Sequence, residues 1–308
     1  MRHLGTLLLT AAALAATAPP AVAAPHIIAR EQAPFTADAA GDAIAWSSFD
    51  PATQRHRLKI SRSGAVTTPQ IPDRGRAFDV DLGPLAGGSL GTVYSRCADD
   101  GKQTGCDLYL YDLDTGRERK LDSVSSPTRS ETLPSLDGGR VAFACAYDDD
   151  RAILYTGAID GAPRSTRQPG PPAGRALAVE LSSGRLFYHW ADRGRREFGR
   201  QSLFRVRGDR AVRMYFTESG GANFSQFIGL TYTGGRIYFA ETNQGSGTGN
   251  RLYRSTVGGG SLDEARGSAG YTSATWTGDR FVTTRGLGGP STLELTDPIV
   301  WKEATKRP

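Results

Sequence analysis

The sequence is poor in the residues that most often hold metals or carry redox chemistry. Its 308 residues include three cysteines, four histidines and two methionines. The histidines show no His-x-x-x-His spacing, and no Cys-x-x-Cys pair is present. A zinc site or a thiol redox centre usually needs such spacing, so these absences argue against both. We therefore expect no metal and no cofactor.

Long apolar segments and helical periodicity are also missing. Apart from Leu7 to Ala18, no stretch approaches the roughly 20 apolar residues of a membrane-spanning helix. That run follows a basic start at Arg2 and precedes the small residues Ala21 to Ala24, which is the organisation of a secretory signal peptide. We expect residues 1–23 to be a signal peptide and residues 24–308 to be one secreted or periplasmic domain without a membrane span.

The residues that are abundant favour β-structure. The sequence contains 38 glycines and 17 prolines, together with many Thr, Val and aromatic residues, a composition typical of strands joined by tight turns. The formal net charge is +5, but the arginines are dispersed along the chain and form no single basic run. Dispersed basic residues are typical of a solvated surface, so we expect no nucleic-acid partner.

A repeated unit predicts the fold. Its core is a turn followed by a strand, and the equivalent positions, 44 to 51 residues apart, are Trp46, Tyr94, Phe143, Tyr188, Phe239 and Thr283. Each copy continues through a loop to a second apolar strand, a tight turn and a weaker outer strand, which is the length of a four-stranded propeller blade. We predict an all-β, six-bladed β-propeller of four-stranded antiparallel blades. Residues 26–30 should pair with the outer edge of the sixth blade and close the ring.

Two copies resemble a known family. Residues 134–143, Pro-Ser-Leu-Asp-Gly-Gly-Arg-Val-Ala-Phe, resemble the turn and strand of a repeat of the TolB-like six-bladed β-propeller superfamily. Residues 107–116, Asp-Leu-Tyr-Leu-Tyr-Asp-Leu-Asp-Thr-Gly, are similar to the second half of such a repeat. The other copies lack the Asp at the position of Asp137 or the Asp-x-x-Thr-Gly turn. The resemblance implies a propeller with a binding role, and it transfers no catalytic residues.

The loops differ between the two faces of the predicted disc. On one face the strands are joined by tight Gly-centred turns. The longer loops of the other face, which we call the long-loop face, span residues 49–57, 97–106, 125–131, 169–172, 191–201 and 243–250. Function tends to lie on long loops held by a rigid scaffold, so the long-loop face is the candidate binding surface.

Charged residues of the long-loop face are the candidate ligand contacts. We single out Arg76, Arg129, Arg175, Arg195, Asp100, Asp148 and Asp149. Charges of both signs suit a protein, a peptide or a cell-envelope polymer as the partner of a monomeric propeller. The alternative is a solvated rim that keeps an exported protein soluble.

The three cysteines predict one disulfide and one buried thiol. Cys97 and Cys106 lie at the two ends of one hairpin loop, and an oxidising compartment would join them. Cys145 is in phase with Val141 and Phe143 on a strand covered on both faces, so we expect an inert thiol.

Catalytic motifs are weak. Residues 87–91 match Gly-x-Ser-x-Gly, but a strand follows them where the hydrolase elbow needs a helix. Our leading hypothesis is therefore a non-enzymatic propeller that binds through its long-loop face. The alternative is a glycan hydrolase or lyase with carboxylates around the central channel, for which the candidates are Asp79, Asp81, Glu131 and Glu180.

Overall fold

The computed structural model is a ring of six β-sheets around a central channel. It describes residues 26–33, 35–148, 151–171, 173–192, 199–217, 225–243, 250–266, 270–277, 280–286, 290–296 and 299–304. These residues form strands, turns and loops without a helix, and none of them belongs to a helix long and apolar enough to cross a membrane. The predicted signal peptide lies outside the described residues.

Twenty-five strands occur in the described part of the chain. The strands of the first three sheets, preceded by the N-terminal strand, are β1 (His26–Glu31), β2 (Ala37–Ala40), β3 (Ala43–Asp50), β4 (Arg55–Arg62), β5 (Ala65–Thr67), β6 (Asp81–Pro84), β7 (Leu90–Asp99), β8 (Thr104–Asp112), β9 (Arg117–Lys120), β10 (Ser130–Asp137), β11 (Arg140–Asp148), β12 (Arg151–Ala158) and β13 (Ser165–Arg167). The remaining strands are β14 (Arg175–Ser182), β15 (Arg185–Ala191), β16 (Gln201–Arg207), β17 (Arg210–Thr217), β18 (Ser225–Thr233), β19 (Arg236–Asn243), β20 (Arg251–Thr256), β21 (Leu262–Ala265), β22 (Tyr271–Trp276), β23 (Phe281–Arg285), β24 (Ser291–Thr296) and β25 (Trp301–Glu303).

Each blade is an antiparallel sheet whose strands run in chain order from the channel outwards. Blades 1 to 4 are β2–β5, β6–β9, β10–β13 and β14–β17. Blade 5 is β18–β21 with β25 added at its outer edge, and blade 6 is β22–β24 with β1 as its outer strand. The predicted six-bladed propeller of four-stranded blades is confirmed.

One cluster of buried apolar side chains fills each interface between neighbouring blades. Strand β15 shows how the sequence produces this arrangement. Leu186, Tyr188 and Trp190 face blade 3, whereas Phe187 faces blade 5. Successive side chains of a strand point to opposite faces, so a strand covered on both faces carries a continuous apolar run. The sixth cluster joins blade 6 to blade 1 and completes the ring.

The N-terminal strand closes the ring, as predicted. β1 pairs antiparallel with β24, with Glu31 opposite Ser291. The Glu31 carboxylate accepts hydrogen bonds from Nε1 of Trp46 at 2.9 Å and from Oγ of Ser48 at 3.0 Å. Both donors lie on β3 of blade 1, so one carboxylate fastens the closing strand of blade 6 to the next blade.

The C-terminal strand was not predicted. β25 pairs with β21 of blade 5, with Trp301 opposite Ala265. The Trp301 ring packs 5.7 Å from the ring of Tyr238, and the Arg254 guanidinium lies 4.5 Å from the Trp301 ring centroid. A strand of three residues carries too little alternation to be recognised from sequence, and its position depends on these long-range contacts.

The innermost strand of each blade pairs with a neighbour on one side only. Its other edge faces the channel, where the backbone N–H groups need acceptors from elsewhere. One equivalent position in each inner strand carries a polar side chain. These six residues, which we call the inner ring, are Asp38, Asp81, Ser135, Glu180, Thr231 and Thr275.

Side chains of the inner ring accept hydrogen bonds from the following blade. The bonds join Asp38 Oδ2 to Leu82 N (2.8 Å), Asp81 Oδ1 to Leu136 N (2.7 Å), Ser135 Oγ to Leu181 N (2.8 Å) and Glu180 Oε1 to Tyr232 N (3.0 Å). Thr275 Oγ1 donates to Asp38 Oδ1 at 2.8 Å and links blade 6 to blade 1. These bonds tie the inner edges of blades 1 to 5 together in order and join blade 6 to blade 1.

Burial raises the pKa of three inner-ring carboxyls. It raises the pKa of Asp38, although hydrogen bonds from Leu82 and Thr275 oppose the shift. The pKa of Asp81 lies well above its ordinary value, mainly because of burial and then because of the negative charge of Asp38. The pKa of Glu180 is likewise raised well above its ordinary value by burial, followed by the charges of Asp81 and Asp38, and Asp137 adds to both shifts.

We predict that Glu31→Ala destabilises the ring. The change removes two hydrogen bonds to a carboxylate and leaves the buried Trp46 indole N–H without its acceptor, so the free energy of unfolding should fall by about 2 kcal/mol. Denaturant unfolding measures the change. Asp209→Ala, whose side chain is 93% exposed, is the control and should unfold like the wild type. Equal midpoints for Glu31→Ala and Asp209→Ala would contradict the closing role of Glu31.

We predict a pH-dependent contribution from the inner ring. A carboxyl whose pKa is raised by folding stabilises the native state most at low pH, and this contribution is lost as the pH rises from the unfolded pKa through the folded pKa. The ordinary values are 3.8 for Asp and 4.5 for Glu, so the loss begins near pH 4. Asp81→Asn and Glu180→Gln keep a hydrogen-bond acceptor and should gain stability relative to the wild type as the pH rises from 4 to 8. Unfolding curves at a series of pH values test this, with Asp209→Asn as the control, and a pH-independent difference would show the expectation to be wrong.

Candidate functional site

The inner ring divides the channel into two cavities. The upper cavity, of about 450 Å³, lies at the end of the channel where the long-loop face is. The lower cavity, of about 240 Å³, lies at the end of the tight turns between first and second strands. The inner strands surround the upper cavity with the residues two positions before the inner ring, which are Thr36, Asp79, Leu133, Ala178, Gly229 and Ser273.

Carboxylates dominate the lower cavity. Asp38, Asp81, Asp137 and Glu180 line it. The sequence-based enzyme hypothesis placed Asp81 and Glu180 around the channel, and the structure does bring them there with Asp38. Across the described parts of the chain, however, no group of three or more His, Cys, Asp or Glu side chains could hold a metal ion. These acids are better explained by their bonds to the neighbouring backbone.

Asp79 reaches the upper cavity but is fully occupied by hydrogen bonds. Its Oδ1 accepts the N–H of Ser95 at 2.8 Å, and its Oδ2 accepts the Ser95 hydroxyl at 2.7 Å and the N–H of Leu133 at 2.9 Å. The guanidinium of Arg74, buried at the boundary of blades 1 and 2, lies 3.5 Å from Asp79 Oδ1. The hydrogen bonds of Asp79 therefore anchor blade 2 to blade 3, and this structural role explains its position.

Glu131 lies away from the channel. Its side chain is buried, and the residue faces Cys145 across the β10–β11 pair. Burial, followed by the negative charge of Asp107, raises the pKa of Glu131 to about 7. Burial raises the pKa of Cys145 to about 12, in agreement with the predicted inert thiol. Glu131 lines neither the upper nor the lower cavity, so it does not extend the group of channel carboxylates.

The upper cavity combines apolar surface with polar groups, and the three carboxyls of its lining, those of Asp38, Asp79 and Asp81, are hydrogen-bonded within the protein. Phe35, Val80, Val179, Phe227 and Ile228 contribute apolar side chains from blades 2, 4 and 5 and from the segment before β2. Its polar groups are mainly hydroxyls and amides. Among the described residues that line it, none is Lys or Arg. Such a lining suits a small, largely uncharged ligand whose orientation is fixed by a few polar contacts.

His189 is the least satisfied polar side chain of this cavity wall. The residue lies on β15 opposite Ala178 of the inner strand, and it is fully buried. Its ring stacks on Phe227 with the ring centroids 5.3 Å apart and meets the edge of Phe239 at 6.4 Å. Neither Nδ1 nor Nε2 has a hydrogen-bond partner among the described residues. Burial lowers the pKa of His189 to about 3, so the imidazole is neutral at physiological pH.

Blades 4 and 5 contribute two further groups beside His189. Gln201 is buried, and its Oε1 accepts the N–H of Phe227 at 2.9 Å. Gly229 has a φ of +61°, and a Cβ there would lie only 2.8 Å from the Cβ of Ser273 in blade 6. Glycine adopts this left-handed conformation without strain and permits the close approach. The inner strands of blades 5 and 6 therefore approach closely at this level of the wall.

A groove of about 500 Å³ lies on the rim between blades 1 and 2. The disulfide between Cys97 and Cys106, confirmed in the structure, joins β7 to β8 at this place. Asp100 accepts the N–H of Gly75 at 2.7 Å through Oδ2, and its Oδ1 lies 3.5 Å from Arg74. Asp100 thus holds the connection between the two blades.

The predicted ligand contacts are distributed around the rim. Arg76 is exposed in the connection between blades 1 and 2, and Arg175 is exposed at the start of β14. The Arg129 guanidinium lies 4.9 Å from the ring centroid of Tyr155. Asp149 and Arg195 lie outside the described residues, as does the side chain of Asp148. The described members belong to several different connections between strands, so their binding role stays a prediction.

Sequence reasoning placed Asp79 and Asp81 at the channel, and both line the upper cavity, but it missed the other residues of that lining. His189 was visible as one of few histidines but had no spacing partner, and Gln201 carried no motif. Asp38 precedes the first recognised turn at the position of Asp81 in the next copy, so a strict alignment of the repeats could have found it. The strands also extend further than expected, so that the loop after β3 spans residues 51–54 and the loop after β7 spans residues 100–103.

Comparison with known proteins establishes the fold. No protein-family model matches the sequence, and no curated protein matches it. Among solved structures, the α-L-arabinanase of Penicillium chrysogenum complexed with arabinobiose superposes with a TM-score of 0.56 at 12% identity, covering 90% of this chain and 99% of that chain. The β-propeller domain of the Trilobed protease from Pyrococcus furiosus gives a TM-score of 0.52 at 10% identity, with coverages of 88% and 84%.

A third similar structure is a chain of the nidogen/laminin complex. It gives a TM-score of 0.51 at 11% identity and covers 82% of this chain and 86% of that chain. The three proteins differ in activity, and all are below 25% identity. What the chain shares with them is the six-bladed propeller architecture.

Proposed function

We propose that this protein is an exported, non-enzymatic propeller that binds a protein, peptide or cell-envelope ligand through its long-loop face. The upper cavity is the centre of that surface. Residues 1–23 act as the signal peptide in this proposal, and residues 24–308 act as a monomer outside the cytoplasm. The Cys97–Cys106 disulfide fits an oxidising compartment. The TolB-like resemblance, which implies a binding role, belongs to the same proposal.

One observation carries the proposal. The carboxylates of the channel are bonded to backbone N–H groups of the following blade, whereas the upper cavity beside them is open, mostly apolar and free of Lys and Arg among its described lining. Acids that are already bonded to backbone N–H groups, in the wall of a mostly apolar cavity, describe a binding pocket better than a hydrolytic centre. In this proposal the rim residues Arg76, Arg129 and Arg175 of the long-loop face would contact a larger partner.

A second candidate is a glycan hydrolase or lyase. The specific observation in its favour is the group of Asp38, Asp81 and Glu180, in which burial and then the negative charges of neighbouring carboxylates raise the pKa values of Asp81 and Glu180. A carboxyl that keeps its proton beside an ionised carboxylate is the pairing that glycoside hydrolysis uses. An arabinanase is also among the proteins of similar fold, so the fold alone supports an enzyme as well as it supports a non-enzymatic binder.

We predict that Ala178→Trp abolishes ligand binding. The indole would fill the upper cavity, so a saturable ligand from envelope extract that is retained by the immobilised wild-type protein should be lost. Ala40→Trp is the matched control, because Ala40 lines the lower cavity on the other side of the inner ring. Both variants should show the wild-type circular dichroism spectrum. Retention by Ala178→Trp, or no saturable ligand for the folded wild type, would contradict the proposal.

The enzyme candidate is tested separately. Incubation of the wild type with arabinan and with envelope polysaccharide should release no soluble sugar beyond the amount released with Asp81→Asn. Release by the wild type that Asp81→Asn and Glu180→Gln both abolish would replace the binding proposal with the enzyme.

A further inference from the structure

We infer that the upper cavity recognises an uncharged, hydroxyl-bearing ring, the sugar unit of a neutral glycan, and that His189 is a specificity-determining residue for it. This inference rests on the proposed function, because it takes the upper cavity as the ligand site. It adds the chemical class of the ligand and one residue that selects it.

Comparison among the six blades singles out His189. The register of the first two strands places one residue of each second strand at the same level of the channel. These residues are Ser47, Ser95, Ala144, His189, Ala240 and Thr284. Five are small, and only blade 4 carries a large polar side chain.

The other polar members of this set have internal partners. Ser47 Oγ accepts the N–H of Phe78 at 3.0 Å, and Ser95 Oγ donates to Asp79 at 2.7 Å. Thr284 Oγ1 lies 2.6 Å from the hydroxyls of Thr272 and Ser273. These three side chains hold the inner strands, as the inner ring does. His189 makes no such bond among the described residues, so structural support does not explain it.

An unpartnered imidazole in this position weakens the fold. Buried polar groups are nearly always hydrogen-bonded, and a donor or acceptor left unpaired is destabilising. A Phe would fill the same place between Phe227 and Phe239 without that penalty. A neutral imidazole has one donor and one acceptor nitrogen, which complement a hydroxyl group that also donates and accepts. The two unpaired nitrogens of His189 are therefore consistent with a hydrogen bond that forms when a ligand binds.

The rest of the cavity has the chemistry of a neutral sugar site. Uncharged polar side chains line it, namely Thr36, Thr231, Thr272, Ser273, Thr284, Ser291, Gln201 and Gln226. Phe35, which is half-buried, offers an apolar ring for the C–H surface of a sugar. No Lys or Arg in the described lining is available to neutralise a phosphate or carboxylate, and the three acids of the lining, Asp38, Asp79 and Asp81, already accept hydrogen bonds from backbone N–H groups. Its volume of about 450 Å³ falls within the range of small-ligand pockets.

Contact with the imidazole requires a local movement. His189 belongs to the cavity wall but exposes no surface to solvent, and the ring stacked on it is Phe227. Rotation of one aromatic side chain is a common adjustment on binding. A ligand hydroxyl that reaches His189 would replace the stacked ring.

Calorimetric titration of the full exported protein tests the inference. The probes are four uncharged disaccharides, arabinobiose, cellobiose, maltose and N,N′-diacetylchitobiose, with Ala-Ala and Phe-Ala as dipeptide alternatives. The variants are His189→Phe, His189→Gln, which retains a donor and an acceptor, and Gln226→Leu. Ala40→Trp in the lower cavity is the control.

We expect at least one disaccharide to bind saturably and His189→Phe to weaken it about tenfold, the loss of roughly one hydrogen bond. His189→Phe should also raise the midpoint of thermal unfolding without ligand. Ala40→Trp should keep affinity near that of the wild type, and His189→Gln should lose less affinity than His189→Phe. Weaker binding by Gln226→Leu supports the cavity independently if His189→Phe does not fold.

Three results would overturn the inference. They are no binding of any disaccharide, binding that neither His189→Phe nor Gln226→Leu changes, and saturable binding of the dipeptides alone. An envelope ligand lost in Ala178→Trp, together with any of these results, would leave the proposed function standing and refute only its ligand class.

Discussion

The apolar faces of each sheet are covered by the two sheets beside it, and this constraint shapes the rest of the molecule. A single blade exposes both faces to water, and even five blades leave two faces uncovered. The sixth cluster, in which Trp46 of blade 1 packs with Val282 and Leu293 of blade 6, removes the last exposed pair. At this boundary Glu31 of the closing strand β1 accepts a hydrogen bond from Trp46 of blade 1, and this bond fastens blade 6 to blade 1.

Closure of the ring creates a second requirement at its centre. The inner strands turn an unpaired edge towards the channel, and their N–H groups must be satisfied there. Asp38, Asp81 and Glu180 supply acceptors, and their burial among one another raises their pKa values. Acids around a propeller channel can therefore arise from the needs of the backbone alone. This explanation matters for function, because the same residues resemble a catalytic group when only their proximity is considered.

Departures from the sixfold pattern indicate where the molecule does more than hold itself together. The side chains of Ser47, Ser95 and Thr284 form hydrogen bonds with the inner strands or with the residues just before them. The imidazole of His189, at the equivalent level, has no hydrogen-bond partner among the described residues. Gly229 has no side chain at a position where the other five blades carry one. Both departures occur in blades 4 and 5 and on the same side of the upper cavity. A repeat protein makes such exceptions visible, because five copies show what structure alone requires.

The sequence by itself determined the class of fold, since alternation, turn spacing and a sixfold repeat are local properties. Trp46 and its counterparts marked the second strand of every blade, and residues 26–30 were recognised as the closing strand. The pairing of Cys97 with Cys106 followed from their positions at the ends of one hairpin. Tertiary structure alone decided which side chains meet across the channel, because distances between blades do not depend on spacing along the chain. It placed Asp81 and Glu180 beside Asp38, kept Glu131 away, paired β25 with blade 5 and left His189 unpartnered in a cavity wall.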